Sequence, residues 1–268
     1  MNLINTECVI ALRQYIKDNS IDLEITSPPY WNQKEYSYWE TYELYLNDVK
    51  TWVNECFRVL KQGRHCFWII PDKLPWPPKA NGTRERLYMP IYADTERLAQ
   101  EAGFVCEFPI IWKKPHGSQK MFGSYPYPPT VIHTPMTERI CVWRKPGKPD
   151  LSNKSPESAY TKTQWVDWAQ DLWEIGPETS VNHPAPFPVE IPKRIITMWS
   201  FVGDTVLDLF AGSFTTGVAC VGEDRDFVGI EICKEYYQLG KSRIEEAERQ
   251  KSIIPVFQNS MFGETDGV

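Results

Sequence analysis

One stretch of this 268-residue chain nearly dictates its architecture. Thr205-Val206-Leu207-Asp208-Leu209 is a short apolar run, Phe210-Ala211-Gly212-Ser213 is a turn, and Phe214-Thr215-Thr216-Gly217 opens a helix reaching about Gly222. A second apolar run, Phe227-Val228-Gly229-Ile230, then ends on Glu231, 23 positions after Asp208. A strand, turn, helix and strand of this length bring the second strand back parallel to the first. In such a unit a ligand approaches the backbone at the helix N-terminus, and a later carboxylate accepts hydrogen bonds from ribose hydroxyls. The same Glu231 also reads as an ordinary polar strand end. A dinucleotide site is the weaker reading, because Gly-x-Gly-x-x-Gly is absent, and Gly240-Lys241-Ser242 has Glu235 where a phosphate loop needs its first glycine.

The remaining pattern alternates in the same way. Leu3 to Cys8 reads as a short strand and Val9 to Lys17 as a helix, before an Ile21 to Ser27 strand. Val49, Trp52, Val53, Cys56 and Leu60 fall at helical spacing, with Gly63 placed to end the helix. Cys66 to Ile70 reads as a buried strand, Tyr92 to Ala102 as a helix closed by Gly103, and Phe108 to Trp112 and Arg139 to Trp143 as strands. The last helix is expected from Lys234 to Arg249. The sum is an α/β fold with a mostly parallel, Rossmann-like sheet, in which Ser27, Gly212 and Glu231 all stand at strand ends.

Thr26-Ser27-Pro28-Pro29-Tyr30-Trp31 closes the strand that starts at Ile21. An exocyclic amine on a nucleobase is a poor nucleophile, since its lone pair is delocalised into the ring, so a site must hold both amino hydrogens with acceptors. The Ser27 hydroxyl and the Pro28 carbonyl are such acceptors; proline fixes φ and brings no competing N–H. Tyr30 offers a face on which an extruded base stacks. No metal and no covalent nucleophile is needed. The competing reading is a plain strand-terminating turn. A third segment, His183-Pro184-Ala185-Pro186-Phe187-Pro188, precedes the helix-like Val189 to Trp199, with Pro188 suited to a first helical turn.

Together these segments resemble the motifs of the S-adenosylmethionine-dependent DNA amino-methyltransferases. Ser27-Pro28-Pro29-Tyr30 is similar to their Asp/Asn/Ser-Pro-Pro-Tyr/Phe catalytic motif, in the serine variant associated with cytosine N4. Asp208 to Thr216 is similar to their Asp-Pro-Phe-x-Gly-Ser-Gly-Thr-Thr cofactor motif, departing from it at Leu209 and Phe214. The catalytic motif precedes the cofactor motif, as in the circularly permuted group called beta. The resemblance implies catalytic Ser27, Pro28, Pro29 and Tyr30. It implies donor contacts from Phe187, Pro188, Asp208, Phe210, Ala211, Gly212, Ser213, Thr215 and Glu231. Asn5-Thr6-Glu7-Cys8 stands where the family commonly has Gly-Asp against the cofactor adenine, so Glu7 is its counterpart here. Phe214 either crowds the donor or packs into the helix start; packing is the favoured reading. The implied activity is methyl transfer from S-adenosyl-L-methionine to a flipped base of double-stranded DNA, foremost cytosine N4. Adenine N6 methylation, or a catalytically weak DNA-binding protein on the same fold, are the alternatives. A cognate restriction endonuclease would be its partner.

The net charge of −6 argues against wholesale electrostatic attraction to DNA, but the charge is unevenly spread. Lys113 to Lys162 carries nine bases against three acids, a local +6 on a body of −12. A DNA-contacting set of Lys113, Lys114, Lys120, Arg139, Arg144 and Lys145 is therefore expected, with a solvated polar loop as the alternative. The expected organisation is residues 1–112 as catalytic part, 113–182 as strands plus a small DNA-recognition insertion, 183–249 as cofactor part and 250–268 as a tail. Residues 147–182 match no motif. The seven cysteines occur without a Cys-x-x-Cys pair, so neither zinc nor disulfides are indicated. With no signal peptide and no membrane span in the sequence, the expected location is the cytoplasm.

Overall fold

The computed structural model describes residues 1–31, 38–75, 88–114, 122–123, 127–129, 131–132, 135–176 and 187–262. In chain order the elements are β1 (Asn2–Ile4), α1 (Cys8–Tyr15), β2 (Ile21–Thr26), α2 (Tyr42–Val59), β3 (Leu60–Ile70), β4 (Leu74–Pro75), β5 (Tyr88–Met89), α3 (Ile91–Ala102), β6 (Val105–Cys106) and β7 (Ile110–Lys113). They continue with β8 (Phe122–Gly123), β9 (Val131–Ile132), β10 (Thr137–Arg144), α4 (Lys162–Trp168), β11 (Leu172–Glu174), α5 (Glu190–Trp199), β12 (Thr205–Asp208), α6 (Thr215–Gly222), β13 (Asp226–Ile230) and α7 (Lys234–Phe262). None of the described helices is long and apolar enough to cross a membrane.

The main sheet runs β1-β13-β12-β2-β3-β10-β7-β11, with β6 added beside β10. Its β1-to-β3 half is parallel throughout, whereas β10 is antiparallel to β3 and β7. Because side chains alternate along a strand, the sheet feeds two cores. Cys66 and Trp68 of β3 join α1, α2 and α3 on one face. Leu23 and Ile25 of β2, with Phe67 and Ile69 of β3, join α5, α6 and α7 on the other.

All six residues of β2 are buried, two acids included. Asp22 is met by Lys61 at 2.7 Å and Arg64 at 3.3 Å. Glu24 instead faces the thiols of Cys56 and Cys66, accepting from the latter at 3.2 Å, and its second oxygen has no partner among the described residues. Burial pushes the Glu24 carboxyl up to about 7.

Several sequence expectations shift. β1 stops at Ile4, and α1 already begins at Cys8. Gly63 does not end α2, which closes at Val59 and passes directly into an 11-residue β3. Gly63 lies inside that strand at φ +72°, where a Cβ would sit 2.3 Å from the Pro149 nitrogen, so the glycine is required by contact and not by a helix cap. The unmatched segment supplies α4 and β11, and β11 extends the sheet parallel to β7. The backbone of α7 continues to Phe262, into the expected tail.

Candidate active site

Strand order reverses between β2 and β12. From β12 the chain proceeds outward to β13, and from β2 outward to β3, while β2 and β12 lie parallel in register Val206↔Leu23 and Leu207↔Glu24. Such a point opens a crevice at the carboxyl edge, where ligands of open α/β sheets bind. The Ser27 loop leaves one strand there and the Phe210 turn leaves the other.

On the β2 side, the Ser27 and Tyr30 hydroxyls both reach the carbonyl of Ile69 on β3, at 3.2 and 3.1 Å, and lie 3.2 Å from each other. Pro28 is buried, while Ser27, Pro29 and Tyr30 are half-buried. Burial raises the Tyr30 phenol well above its ordinary range, so it stays protonated and donates. Trp31 behind it is 1% exposed, packs on Tyr42 at 5.2 Å and donates its indole N–H to the Trp39 carbonyl at 3.3 Å. A hydroxyl whose proton is engaged at a carbonyl keeps its lone pairs for an incoming donor, the condition for holding an amine.

On the β12 side, Asp208 joins the two strands. Its Oδ1 accepts from Thr26 Oγ1 at 2.6 Å and from the Phe210 N–H at 3.1 Å; its Oδ2 accepts from Thr216 Oγ1 at 2.7 Å. Asp208 is 1% exposed, and burial pushes its carboxyl up to about 6 despite these donors. The side chain is thus spent on shaping the turn, so any service to a ligand runs through the backbone it holds.

Glu231 closes the turn from β13. It accepts from the Gly212 and Cys233 N–H groups, each at 2.8 Å, and burial raises its carboxyl above the usual range. Gly212 itself stands at φ +51°, the left-handed region glycine enters without cost. Ala211 is buried, and the Phe210 ring meets Trp52 edge-on at 4.8 Å. Arg243 of α7 donates to the Ser213 carbonyl and hydroxyl, both at 2.6 Å, and to Thr215 Oγ1 at 3.1 Å. Phe214 is fully buried and does not face the crevice: it packs on Phe227 and Tyr237 and fills the notch at Gly240. Packing is therefore its role in the fold.

Phe187 is half-buried against the α5–α7 core, and Pro188 is buried just ahead of α5. Their neighbours 183–186 lie outside the described residues, as does Lys120. Glu7 caps α1: its carboxylate accepts from the Val9 and Ile10 N–H groups at 3.0 and 2.9 Å, and these bonds outweigh burial to lower its pKa. It remains close to the cofactor half, since Asn5 of the same loop donates to the Glu231 carbonyl at 2.8 Å.

The expected basic track needs correction. Arg139 stands opposite Ile70 and Lys113 opposite Thr137, at the carboxyl edge that carries Ser27. Arg144 lies five residues further along β10, roughly 17 Å away at the other edge, and pairs with Glu107 at 2.8 Å. Lys145 is buried there, donating to the Phe57 and Leu60 carbonyls at 2.6 and 2.8 Å and to Asn19 Oδ1 at 2.8 Å. Neither shares an edge with Ser27, and Lys145 has no free face. Folding also reduces the local +6, because Asp72, Glu107 and Glu174 come from outside the stretch to meet three of its bases.

Thr26, Thr216, Arg243 and the Ile69 carbonyl were not singled out by the sequence. The Thr215-Thr216 pair after the glycine turn was a usable signal for Thr216, whereas Arg243 and Ile69 carried none.

Known proteins match this arrangement. The family model N6_N4_Mtase, described as DNA methylase, covers residues 21–242. The type II methyltransferase M.MjaI of Methanocaldococcus jannaschii is 33% identical over 269 residues, covering 85% of this chain and 86% of its own. The type II beta methyltransferase M.BslI of Bacillus sp. (strain NEB-606) is 31% identical over 241 residues, covering 85% of this chain but only 26% of its own length. The DNA adenine methyltransferase YhdJ of Escherichia coli K12 is 27% identical over 254 residues, covering 91% of this chain and 83% of its own. Among solved structures, TTHA0409 of Thermus thermophilus, crystallised with S-adenosyl-L-methionine, superposes with a TM-score of 0.77 at 30% identity, covering 92% of this chain and 93% of that one. On the crevice between β2 and β12, the glycine turn answered by Glu231 and a family match across most of its length, the chain belongs to the DNA methylase family of S-adenosyl-L-methionine-dependent N6/N4 DNA methyltransferases.

Proposed function

We propose that this chain methylates the exocyclic amine of a base flipped out of double-stranded DNA, at cytosine N4, with Ser27, Pro28, Pro29 and Tyr30 as the base pocket. The observation that carries this reading is the convergence of the Ser27 and Tyr30 hydroxyls on the Ile69 carbonyl, beside the boundary with the cofactor half.

The cofactor half suits S-adenosyl-L-methionine in its donor set. Glu231, half-satisfied by two backbone N–H groups, has lone pairs left for ribose hydroxyls, and the backbone of Phe210 to Ser213 is open to close approach through Gly212. Phe187 and Pro188 flank the same half, and Glu7 lies beside it through its Asn5 link to β13. When bound, S-adenosyl-L-methionine supplies an electrophilic methyl group. Ser27 accepts one amino hydrogen and the Pro28 carbonyl the other, holding both N–H bonds in the base plane so that the nitrogen lone pair stands out of that plane. Tyr30, backed by the buried Trp31, gives the pocket a flat wall. Rate comes from orientation and exclusion of water. Ser27 is too weak a base to remove the proton first, so it orients the amine and the proton departs after the methyl arrives.

The serine at the acceptor position favours cytosine. Adenine N6 is the second reading, supported by the likeness to YhdJ. A cognate endonuclease belongs to this reading, given the type II names of M.MjaI and M.BslI. The test is incubation with labelled donor and mixed-sequence duplex, followed by nucleoside mass spectrometry. N4-methylcytosine is expected, and N6-methyladenine as sole product overturns the base assignment. Ser27→Ala is expected to lose more than about 100-fold in single-turnover transfer while retaining donor affinity; near-normal transfer removes Ser27 from the pocket.

A further inference from the structure

The cations at the carboxyl edge share an arrangement that neither the fold nor methyl transfer requires. Moving outward from Ser27 along β3, β10 and β7, Arg139 holds Asp72 in a bidentate pair at 2.7 and 3.2 Å, over the ring of Tyr92 at 5.7 Å. Lys114 lies 4.4 Å over the Trp112 ring and pairs with Glu138. Lys113 pairs with Glu174 of β11 at 2.6 Å. These three bases, all solvent-accessible, each have an acid among the described residues, so their charges are compensated although they are charges of the kind a DNA backbone needs. Arg139 is 27% and Asp72 45% exposed; Lys113 is 43% and Glu174 54% exposed. Exposed pairs of this kind add little stability, since the Coulomb gain is offset by solvation and side-chain entropy.

We propose that Asp72, Glu138 and Glu174 are surrogates for DNA phosphates. They hold Arg139, Lys114 and Lys113 in place with their charges compensated in the free protein, and phosphate oxygens displace them when duplex DNA docks with a base in the Ser27 pocket. A carboxylate presents two oxygens to an arginine fork much as a phosphate does, so exchange needs little movement of the guanidinium. The aromatic rings of Tyr92 and Trp112 keep the side chains extended while the acid leaves. The consequence is selectivity: non-specific DNA must first break these pairs, so backbone attraction is reduced unless base capture and phosphate contact occur together. This rests on the proposed DNA methylation.

The test uses full-length protein without donor and a fluorescent mixed-sequence duplex, with anisotropy titrations over a salt series. Asp72→Asn, Glu174→Gln and the double variant are compared with wild type and with Arg139→Gln. These acids are surface groups, and thermal melts establish that each variant folds. The acid variants are expected to bind several-fold tighter at low salt, with the slope of log K against log salt steeper by about one unit per cation released. Arg139→Gln is expected to weaken binding and flatten the slope. Unchanged affinity and slope in the double acid variant overturn the proposal. So does weaker binding with lost methylation in Asp72→Asn, which marks the acid as a support that Arg139 needs to work. Failure of the underlying reading is separable: a wild type that methylates no duplex fails on mass spectrometry, whereas a gate that is absent leaves methylation intact and only the affinity comparison flat.

Discussion

Thr26→Val tests whether the two halves of the site are joined as the structure indicates. Thr26 Oγ1 and Asp208 Oδ1 are 2.6 Å apart, and the two residues are 0% and 1% exposed. Valine replaces the hydroxyl by a methyl of similar size, so the cavity term is small and the change is essentially the loss of one donor to a buried carboxylate. Hydrogen bonds to charged groups contribute about 1.5–3 kcal/mol. Asp208 keeps the Phe210 N–H on the same oxygen and Thr216 on the other, which places the expected loss near the middle, at about 2 kcal/mol. In a protein of this size that is a drop of roughly 4–6 °C in Tm. The pH dependence distinguishes this from generic damage. The wild-type carboxyl titrates at about 6, so at pH 5 it is mostly protonated and the bond is neutral, worth about 1 kcal/mol. Urea melts at pH 7.5 and pH 5 should therefore show a penalty roughly halved at the lower pH. An equal midpoint for variant and wild type at pH 7.5, or a penalty that grows on acidification, refutes the argument.

Glu231→Gln should weaken S-adenosyl-L-methionine binding by about 1–3 kcal/mol in calorimetry, because the amide offers one oxygen where the carboxylate offers two; an unchanged Kd removes Glu231 from the donor site. Phe214 is both fully buried and left-handed at φ +57°, so the two small replacements separate burial from strain. Phe214→Ala should cost about 3–5 kcal/mol and Phe214→Gly about 1 kcal/mol less, and the reverse order in denaturant melts would sink the reading. Glu24, held at about 7 against an ordinary 4.5, binds more protons folded than unfolded across that window. Stability accordingly falls as pH rises from about 4.5 to about 7, and Asp208 adds a slope of the same sign between about 4 and 6. Glu24→Gln should remove its share, up to roughly 3 kcal/mol, shrinking the gap between melts at pH 5 and pH 8; an unaltered gap places the titration elsewhere.

What the sequence made legible was local. The Thr205 to Glu231 unit could be read because an apolar strand, a glycine turn and a helix start are consecutive, and the same holds for the Ser27 loop. Gly63 misled because a glycine after helical spacing looks like a cap, while the contact that demands it comes from Pro149, distant in sequence. The basic stretch misled for a related reason. Charge counted along a chain takes no account of partners such as Asp72 and Glu174, and Arg139 and Arg144 fall on opposite edges only because β10 spans the sheet. β11 went unseen because three residues at a sheet edge leave no periodicity to find.

The seating of Phe214 in the notch at Gly240, with Arg243 gripping Ser213 one turn further on, bears on how the protein is made. The Ser27 loop is encoded early in the chain and the glycine turn follows, but the helix that clamps this turn is translated after both. A nascent chain with both motifs already exposed therefore still lacks the notch that seats Phe214 and the arginine that holds Ser213 and Thr215. The packing of the glycine turn is complete only with α7, so a translation product that stops before Gly240 is without the contacts that fix it.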